Sequence, residues 1–303
     1  MSTIYVLSNE HICIEVSSFG AELKSLKRQS DSREYMWDAR PEFWKRTSPV
    51  LFPIVGGLHE GQYHYEGQSF QMSQHGFARD MEFTLVQQKA DSLTFVLEDN
   101  AETLAKYPFH FCLTITYTIV DNHLKITWKV DNTNDHVMYF SIGGHPAFRC
   151  PIIEGTRQTD YKLHFDTETE ITSSILGEGG LLTHDHKTYP LKHGELAVTE
   201  DLFDQDALVI EGNQAHEVSL SYGQEKPYLT VRFNAPLFGI WSPPKKNAPF
   251  ICIEPWYGRC DKADFTGELD KREWGNTLDA GECFEASYEV KGALKRTVKK
   301  DEA

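Results

Sequence analysis

The feature that most constrains the fold is the recurrence of short segments in which apolar and polar residues alternate. The clearest example covers residues 113–120 and 124–130, which have apolar residues on one face and Thr or Lys on the other. Alternation with period two is typical of a half-buried strand, and two such runs joined by a short polar turn predict a hairpin. Roughly twenty strand candidates of this kind follow one another at short spacing.

Helix signals are rare by comparison. Residues 99–108 form the clearest candidate, with a capping residue at the start, good helix formers within and Pro108 as a stop. We therefore predict an all-β fold, a large antiparallel β-sandwich with one or two short helices. No linker, composition shift or repeat divides the chain, so residues 1–303 are expected to form a single domain. The charged tail from Lys295 to Ala303 is expected to fray.

Composition narrows the classes of partner. The 303 residues carry 45 acidic and 30 basic side chains, a formal net charge of −15 that disfavours nucleic acid and anionic membranes as partners. No apolar run approaches the ~20 residues that span a bilayer, and the first residues lack the features of a signal peptide. The six cysteines are scattered without a C-x-x-C pair, as expected in a reducing compartment. We expect a cytoplasmic protein.

The stretch 250–258 carries the most chemical information. Four apolar residues in extended alternation precede Glu254, and Pro255 is expected to end the strand at that carboxylate. Trp256 and Tyr257 follow at once. A carboxylate beside aromatic rings is typical of a sugar site, because the rings stack on C–H faces and the carboxylate accepts a hydroxyl proton. The alternative is a solvent-exposed acid at a strand end beside two core aromatics.

Other polar candidates lie beside glycines, at strand ends or next to these loops. They are His75, His145, Asp204, Asp206, Arg46 and Arg79. Glycine after His75 indicates a close approach of the backbone, and the glycines before His145 would admit a ligand. Two histidines and Glu254 could bind a metal, but no two of them have the i, i+2 or i, i+4 spacing of familiar metal motifs. We expect neither a metal nor another cofactor.

Several of these motifs occur together in an order that resembles a known family. They are Ser-Pro-Val-Leu-Phe-Pro-Ile-Val-Gly at 48–56, His-Gly-Phe-Ala-Arg at 75–79, Gly-His-Pro-Ala-Phe at 144–148, Leu-Phe-Asp-Gln-Asp-Ala-Leu at 202–208 and the stretch 250–258. The chain resembles the aldose 1-epimerase (galactose mutarotase) superfamily in its LacX-like branch. The resemblance implies a galactose mutarotase-like supersandwich with a site in a groove on one sheet face.

The resemblance also implies a mechanism. Glu254 would act as general base on the anomeric C1 hydroxyl and His145 as general acid on the ring oxygen, so that the ring opens and closes on the other face. A histidine titrates near neutrality and a carboxylate is mostly ionised there, so both groups are expected in the required state. The implied sugar contacts are His75, Asp204 in preference to Asp206, Arg46, Arg79 and Trp256.

Other activities stay open at this point. The 75–79 motif resembles hexose-6-phosphate 1-epimerases, although these have Arg-Gly-Gly where this chain has Arg46-Thr-Ser. A non-catalytic carbohydrate-binding or sensing protein could use the same groove. A glycoside hydrolase or lyase would use Asp204 and Glu254, since hydrolysis normally needs two carboxylates about 5–10 Å apart. In each case the partner is a small-molecule sugar, and the protein is expected to be a monomer or a homodimer.

Overall fold

The alternating segments become strands in the structure, a computed structural model that describes residues 2–293. The predicted hairpin is confirmed: Phe111–Val120 pairs antiparallel with His123–Asn132, and Leu113, Ile115 and Trp128 lie on its buried face. The prediction of an all-β fold is also confirmed. The tail from Lys295 lies outside the described residues.

The described residues form 25 strands, numbered in chain order. Their bounds are β1 Ile4–Ser8, β2 Ile12–Ser17, β3 Glu22–Arg28, β4 Arg33–Glu34, β5 Val50–Leu51, β6 Gln62–Tyr65, β7 Gln68–Gln71, β8 Thr84–Gln88, β9 Ser92–Glu98, β10 Phe111–Val120, β11 His123–Asn132, β12 Met138–Phe140, β13 Ile142–Gly144, β14 Ala147–Arg149, β15 Tyr161–Phe165, β16 Glu170–Leu176, β17 Leu182–Pro190, β18 Glu195–Ala197, β19 Leu208–Glu211, β20 Glu217–Tyr222, β21 Leu229–Phe233, β22 Leu237–Trp241, β23 Phe250–Tyr257, β24 Asn276–Leu278 and β25 Cys283–Gly292.

Two large antiparallel sheets enclose the main core. One has nine strands in the order β18-β15-β20-β21-β25-β11-β10-β9-β8. The other has eight strands, seven of them in the order β17-β16-β19-β22-β23-β13-β5 with β14 also paired to β23. Phe238 of β22 packs on Phe165 of β15 and Phe233 of β21, with ring centroids 6.3 and 5.2 Å apart. A four-stranded sheet, β1-β2-β3-β4, and the two-stranded pairs β12-β24 and β6-β7 complete the described fold.

The eight-stranded sheet buries one face in the core and uses the other for a cavity. Phe238, Ile240 and Ile253 point into the main core. The register places Val209, Gly239 and Glu254 side by side across β19, β22 and β23 on the opposite face. Because side chains alternate along a strand, Trp256 shares the face of Glu254.

The expectation that Pro255 ends the strand is wrong, because β23 continues to Tyr257. The Ile253 N–H donates to the Pro146 carbonyl at 3.2 Å, toward the β13–β14 side. Alternate residues of a strand direct their N–H groups to the same side, so the Pro255 nitrogen points toward β13 and β14, whose ladders with β23 leave residues 253–255 unpaired. A proline there removes no ladder hydrogen bond, and the sheet tolerates it.

The helix is shorter than the 99–108 signal indicates. It covers Ala101–Leu104, and the Asn100 side chain accepts hydrogen bonds from the Glu102 and Thr103 N–H groups. Five single-turn 3-10 segments accompany it in the described chain, at His59–Gly61, Ala78–Asp80, Gln158–Asp160, Glu178–Gly180 and Leu269–Lys271. Among residues 2–293, no helix has the length and apolar character needed to cross a membrane.

Candidate active site

A cavity of about 230 Å³ lies on the outer face of the eight-stranded sheet. At its floor, His145 Nε2 lies 3.3 Å from Glu254 Oε2, and the two side chains are 10% and 1% exposed. An ionisable pair so deeply buried loses most of its hydration, so its protons respond strongly to any polar molecule that enters. The structure therefore brings the two predicted catalytic residues together.

Local backbone features place the imidazole of His145 above the carboxylate. Strand β13 pairs with both β5 and β23, and the His145 N–H donates to the Pro49 carbonyl at 3.0 Å. Trp44 stacks on the imidazole at 4.6 Å between centroids, and Trp241 meets it edge-on at 5.4 Å. These two rings enclose His145 and limit its rotation.

The pKa shifts at the catalytic pair run against the protonation expected from the ordinary values. Burial lowers the pKa of His145 to about 3, helped by the nearby charges of Arg79 and Arg46. Burial also raises the pKa of Glu254 well above its usual range, and the negative charge of Asp206 adds to that rise. Both shifts have the same cause, since a low-dielectric site disfavours charge. Both shifts favour the arrangement in which the proton lies on Glu254 and His145 is neutral.

His75 lies next to His145, with ring centroids 5.6 Å apart. Its Nδ1 accepts a hydrogen bond from the Gly56 N–H at 3.1 Å, and its own backbone N–H donates to the Gly56 carbonyl at 2.9 Å. Burial, followed by the charge of His145, lowers the pKa of His75 well below its usual value. With Nδ1 as acceptor, a neutral His75 carries its proton on Nε2 and can act as a fixed donor.

The glycine after His75 makes the close backbone approach that the sequence predicts. Gly76 has a φ of +71°, and a Cβ there would lie 2.2 Å from the Phe52 carbonyl oxygen. The glycines before His145 have a different use from the one expected. A Cβ at Gly143 would meet Trp256 at 2.7 Å, and one at Gly144 would meet Trp128 at 3.1 Å, so side chains of the protein fill this space.

The two arginines occupy different positions. Arg79 lines the cavity and donates from Nη2 to the Gln74 carbonyl at 2.5 Å, with its Nε 3.8 Å from Asp80. Arg46 is not among the lining residues; its Nη2 donates to both Asp80 oxygens at 2.9 and 3.2 Å. Arg79 is thus the cation that a ligand can contact, while Arg46 acts on the histidines through its charge.

The structure corrects the expected preference for Asp204: the aspartate at the cavity is Asp206. Asp206 lines the cavity with His145 and Glu254, whereas Asp204 lines a separate cavity of about 450 Å³ beside Phe203. Successive turns, with N–H groups of Asp204 and Asp206 donating to residues three earlier, lead to a φ of +69° at Asp206. This left-handed residue reverses the chain just before β19, so the two aspartates face different sides of the turn.

Trp256 contributes its N–H edge to the cavity floor. In the described part of the chain its buried Nε1 has no hydrogen-bond partner, and neither do the buried atoms Glu254 Oε2, His145 Nδ1 and Arg79 Nε. Buried polar atoms normally find partners, and each unmet one costs free energy. Four such atoms in residues that line one cavity indicate a site built for a polyhydroxylated or otherwise polar ligand.

Sequence reasoning missed several lining residues, among them Trp44, Trp241, Gln74 and Cys260. Trp44 gave a usable signal, because it lies two residues before Arg46 in an aromatic, irregular segment. Trp241 and Cys260 gave none, since each looks like an ordinary core residue until the strands are paired.

Three potential metal ligands also meet at the floor. Ligand atoms of His145, Cys252 and Glu254 lie within 4.8 Å of one another, a group that sequence spacing did not reveal. Burial and the adjacent Glu254 raise the pKa of the Cys252 thiol well above its usual value. Because the thiolate is the metal-binding form, and because Arg79 and Arg46 place positive charge nearby, this donor set is poorly suited to a cation.

Comparisons with known proteins agree with this architecture. The family model for aldose 1-epimerase matches residues 3–291. The plasmid-encoded protein LacX of Lactococcus lactis subsp. lactis is 34% identical over 261 residues, 83% of this chain and 87% of that protein. A galactose mutarotase related enzyme from Lactobacillus acidophilus superposes with a TM-score of 0.91 at 35% identity, covering 96% of this chain and 98% of its own. A galactose mutarotase-like protein from Lactobacillus casei gives 0.89 at 30%, covering 95% and 99%.

Proposed function

Because this chain belongs to the aldose 1-epimerase family, we propose that it interconverts the α and β anomers of a hexose. The observation that carries the proposal is the 3.3 Å contact between His145 Nε2 and Glu254 Oε2 at the floor of a polar cavity. Mutarotation moves one proton off the C1 hydroxyl and one onto the ring oxygen. These adjacent oxygens call for a paired acid and base at close range.

The proposed reaction begins when the one proton of the pair moves from Glu254 to His145, which leaves Glu254 ionised and His145 protonated. Glu254 takes the proton of the C1 hydroxyl while His145 donates to the ring oxygen, and the bond between C1 and the ring oxygen breaks. The open aldehyde rotates about C1–C2, and the reverse transfers close the ring on the other face. Ring opening leaves the proton on Glu254 and His145 neutral, which is the arrangement that burial favours. The pair holds one proton throughout, so no net exchange with solvent is needed.

The remaining contacts are assigned by donor and acceptor type. His75 presents a neutral Nε2–H donor toward the ring-oxygen region, Arg79 a charged donor and Asp206 an acceptor for hydroxyls. Trp256 adds the edge of its indole to the cavity floor. The proposed partner is therefore a small sugar, bound by a monomer or homodimer in the cytoplasm.

The test is polarimetry of freshly dissolved α-D-glucose and α-D-galactose. Wild type should speed the approach to equilibrium, and Glu254→Gln should lose about 10²–10⁴-fold in rate, the usual contribution of an acid–base group. Glu285→Gln is the matched control, because Glu285 is an exposed strand glutamate and its replacement should leave the rate unchanged.

If both sugars reach equilibrium no faster with wild type than in buffer alone, epimerisation of free hexoses is contradicted. Binding of either sugar by calorimetry in that case would favour a non-catalytic carbohydrate-binding or sensing protein. The hydrolase alternative loses its proposed pair, since Asp204 lines a different cavity from Glu254.

A hexose-6-phosphate 1-epimerase is the second candidate, favoured by one observation. Within residues 2–293, no carboxylate lies at hydrogen-bond distance from Arg79, because Arg46 binds both oxygens of Asp80. A guanidinium that faces a cavity and has, within those residues, only a long ion pair with Asp80, at 3.8 Å, is suited to a phosphate. Exchange NMR of glucose 6-phosphate with wild type and Arg79→Gln distinguishes the candidates. Phosphate recognition predicts a KM increase for the phosphorylated sugar that free glucose does not show.

A further inference from the structure

Gly239 occupies a position where a strand has no local reason for glycine. It lies in the middle of β22, without the left-handed φ that favours glycine, and pairs directly with Glu254 on one side and Val209 on the other. Glycine inside a strand weakens it, and often marks a site of close approach. The cause must therefore be a neighbour.

That neighbour is the indole of Trp256. A Cβ at Gly239 would lie 2.4 Å from Cη2 and Cζ2 of Trp256 and 3.2 Å from Cε2. In β13, on the other side of β23, a Cβ at Gly143 would lie 2.7 Å from Cδ1 of the same ring. These four atoms belong to the edge of the indole that carries Nε1. The two glycines, one on each side of β23, leave a slot into which this edge fits.

The slot has a chemical consequence, because Gly239 is also the cross-strand partner of Glu254. The indole edge therefore lies over the cross-strand neighbour of Glu254, on the face of the sheet that carries the carboxylate. Among the described residues, Trp256 Nε1 and Glu254 Oε2 are both buried without a hydrogen-bond partner, although His145 Nε2 lies 3.3 Å from Glu254 Oε2. The indole N–H favours the ionised carboxylate, against the effect of burial. An N–H donor at this point is available to the carboxylate in its basic form.

We propose that Gly239 is a positioning residue for the reaction: its missing side chain lets the N–H edge of Trp256 lie beside Glu254 and hold the carboxylate in place. The inference rests on the proposed function for its kinetic readout only. A methyl group at position 239 would force the ring outward by about 1 Å to reach ordinary carbon–carbon contact. That shift moves the donor away from Glu254 and into the space for the sugar.

The test compares Gly239→Ala with Gly292→Ala. Gly292, in β25, is a matched control, because a Cβ there would lie 2.6 Å from the Tyr35 ring, away from the cavity. Both changes should lower the melting temperature. Gly239→Ala alone should shift the indole ¹H–¹⁵N resonance of Trp256, assigned as the one missing from Trp256→Phe. It should also lower kcat by at least tenfold, since a displacement of about 1 Å can cost ~10²-fold.

A double variant separates positioning from simple destabilisation. In the Trp256→Phe background the smaller ring no longer meets the added methyl, so Gly239→Ala should change kcat less than twofold. The same loss in both backgrounds, or an unchanged indole resonance in Gly239→Ala, would overturn the proposal. If wild type itself interconverts no sugar, the proposed function fails, whereas the resonance still decides whether Gly239 sets the position of the indole.

Discussion

Glu254 is held in surroundings that favour its uncharged form. Burial and the charge of Asp206 raise its pKa well above the usual value, so the folded protein keeps a proton that the unfolded chain releases above about pH 4.5. Stability is therefore lost as pH rises from that point toward the folded pKa, at ~1.4 kcal/mol for each unit of pKa increase. Glu254, which the proposed reaction needs, therefore lowers the stability of the folded protein at neutral pH.

Glu254→Gln should for this reason be more stable than wild type at neutral pH. Glutamine does not titrate, so the difference in free energy of unfolding should grow in the variant's favour as pH rises from 4 to 8. Urea denaturation at each pH measures it, with exposed Glu285→Gln expected to follow wild type. A difference that stays constant with pH would contradict the raised pKa.

Asp206 and Asp204 provide a second comparison of single residues. Only Asp206 lines the cavity of the catalytic pair, so Asp206→Asn should raise KM for the sugar by about tenfold, the value of one charge-assisted hydrogen bond. Asp204→Asn should leave KM unchanged. Initial rates across a range of sugar concentrations measure both, and equal effects would place the sugar elsewhere.

The loop that carries His75 depends on a glycine for two reasons. Gly67 and Gly76 have φ of +73° and +71°, but only at Gly76 would a Cβ meet a backbone oxygen, at 2.2 Å. Gly67→Ala should cost about 1 kcal/mol through its backbone angle alone. Gly76→Ala should cost at least ~2 kcal/mol more, because the added methyl overpacks a buried site. Chemical denaturation of the two variants measures the difference, and equal losses would argue against the close approach.

The strands themselves were the part of the fold most accessible from sequence. Alternation predicted the hairpin of β10 and β11, because both have one face in the core and one in solvent. The expectation at Pro255 was wrong for a physical reason. Local rules disfavour proline in a paired strand, but the ladder on that side of β23 is interrupted at residues 253–255, which only the paired strands reveal. Asp206, Trp241 and the slot over Gly239 depend on strand register and turn geometry, which a single sequence does not specify.

At the scale of the whole molecule, β25 joins the two halves of the chain. It lies in the middle of the nine-stranded sheet, with β11 on one side and β21 on the other. The strands β8–β11 and the strands β15–β21 of that sheet thus meet only through the last described strand. We propose that the sheets form a single cooperative domain, because neither half of this sheet is complete without the other.

Thermal unfolding should then be a single transition, with equal calorimetric and van't Hoff enthalpies and coincident far- and near-UV circular dichroism. Differential scanning calorimetry measures it under reversible conditions. Two separable transitions would show that the chain divides into independent units.

Substitutions on the two faces of β23 should affect different properties of the protein. Ile251 and Ile253 point into the core, whereas Cys252, Glu254 and Trp256 point to the cavity side. In a library of all single variants, substitutions at Ile251 and Ile253 should lower the amount of folded protein that accumulates. Substitutions at Glu254 and Trp256 should instead lower the activity per molecule. Altered sugar preference is therefore reachable through alternate positions of one strand, without exchange of the hydrophobic residues between them.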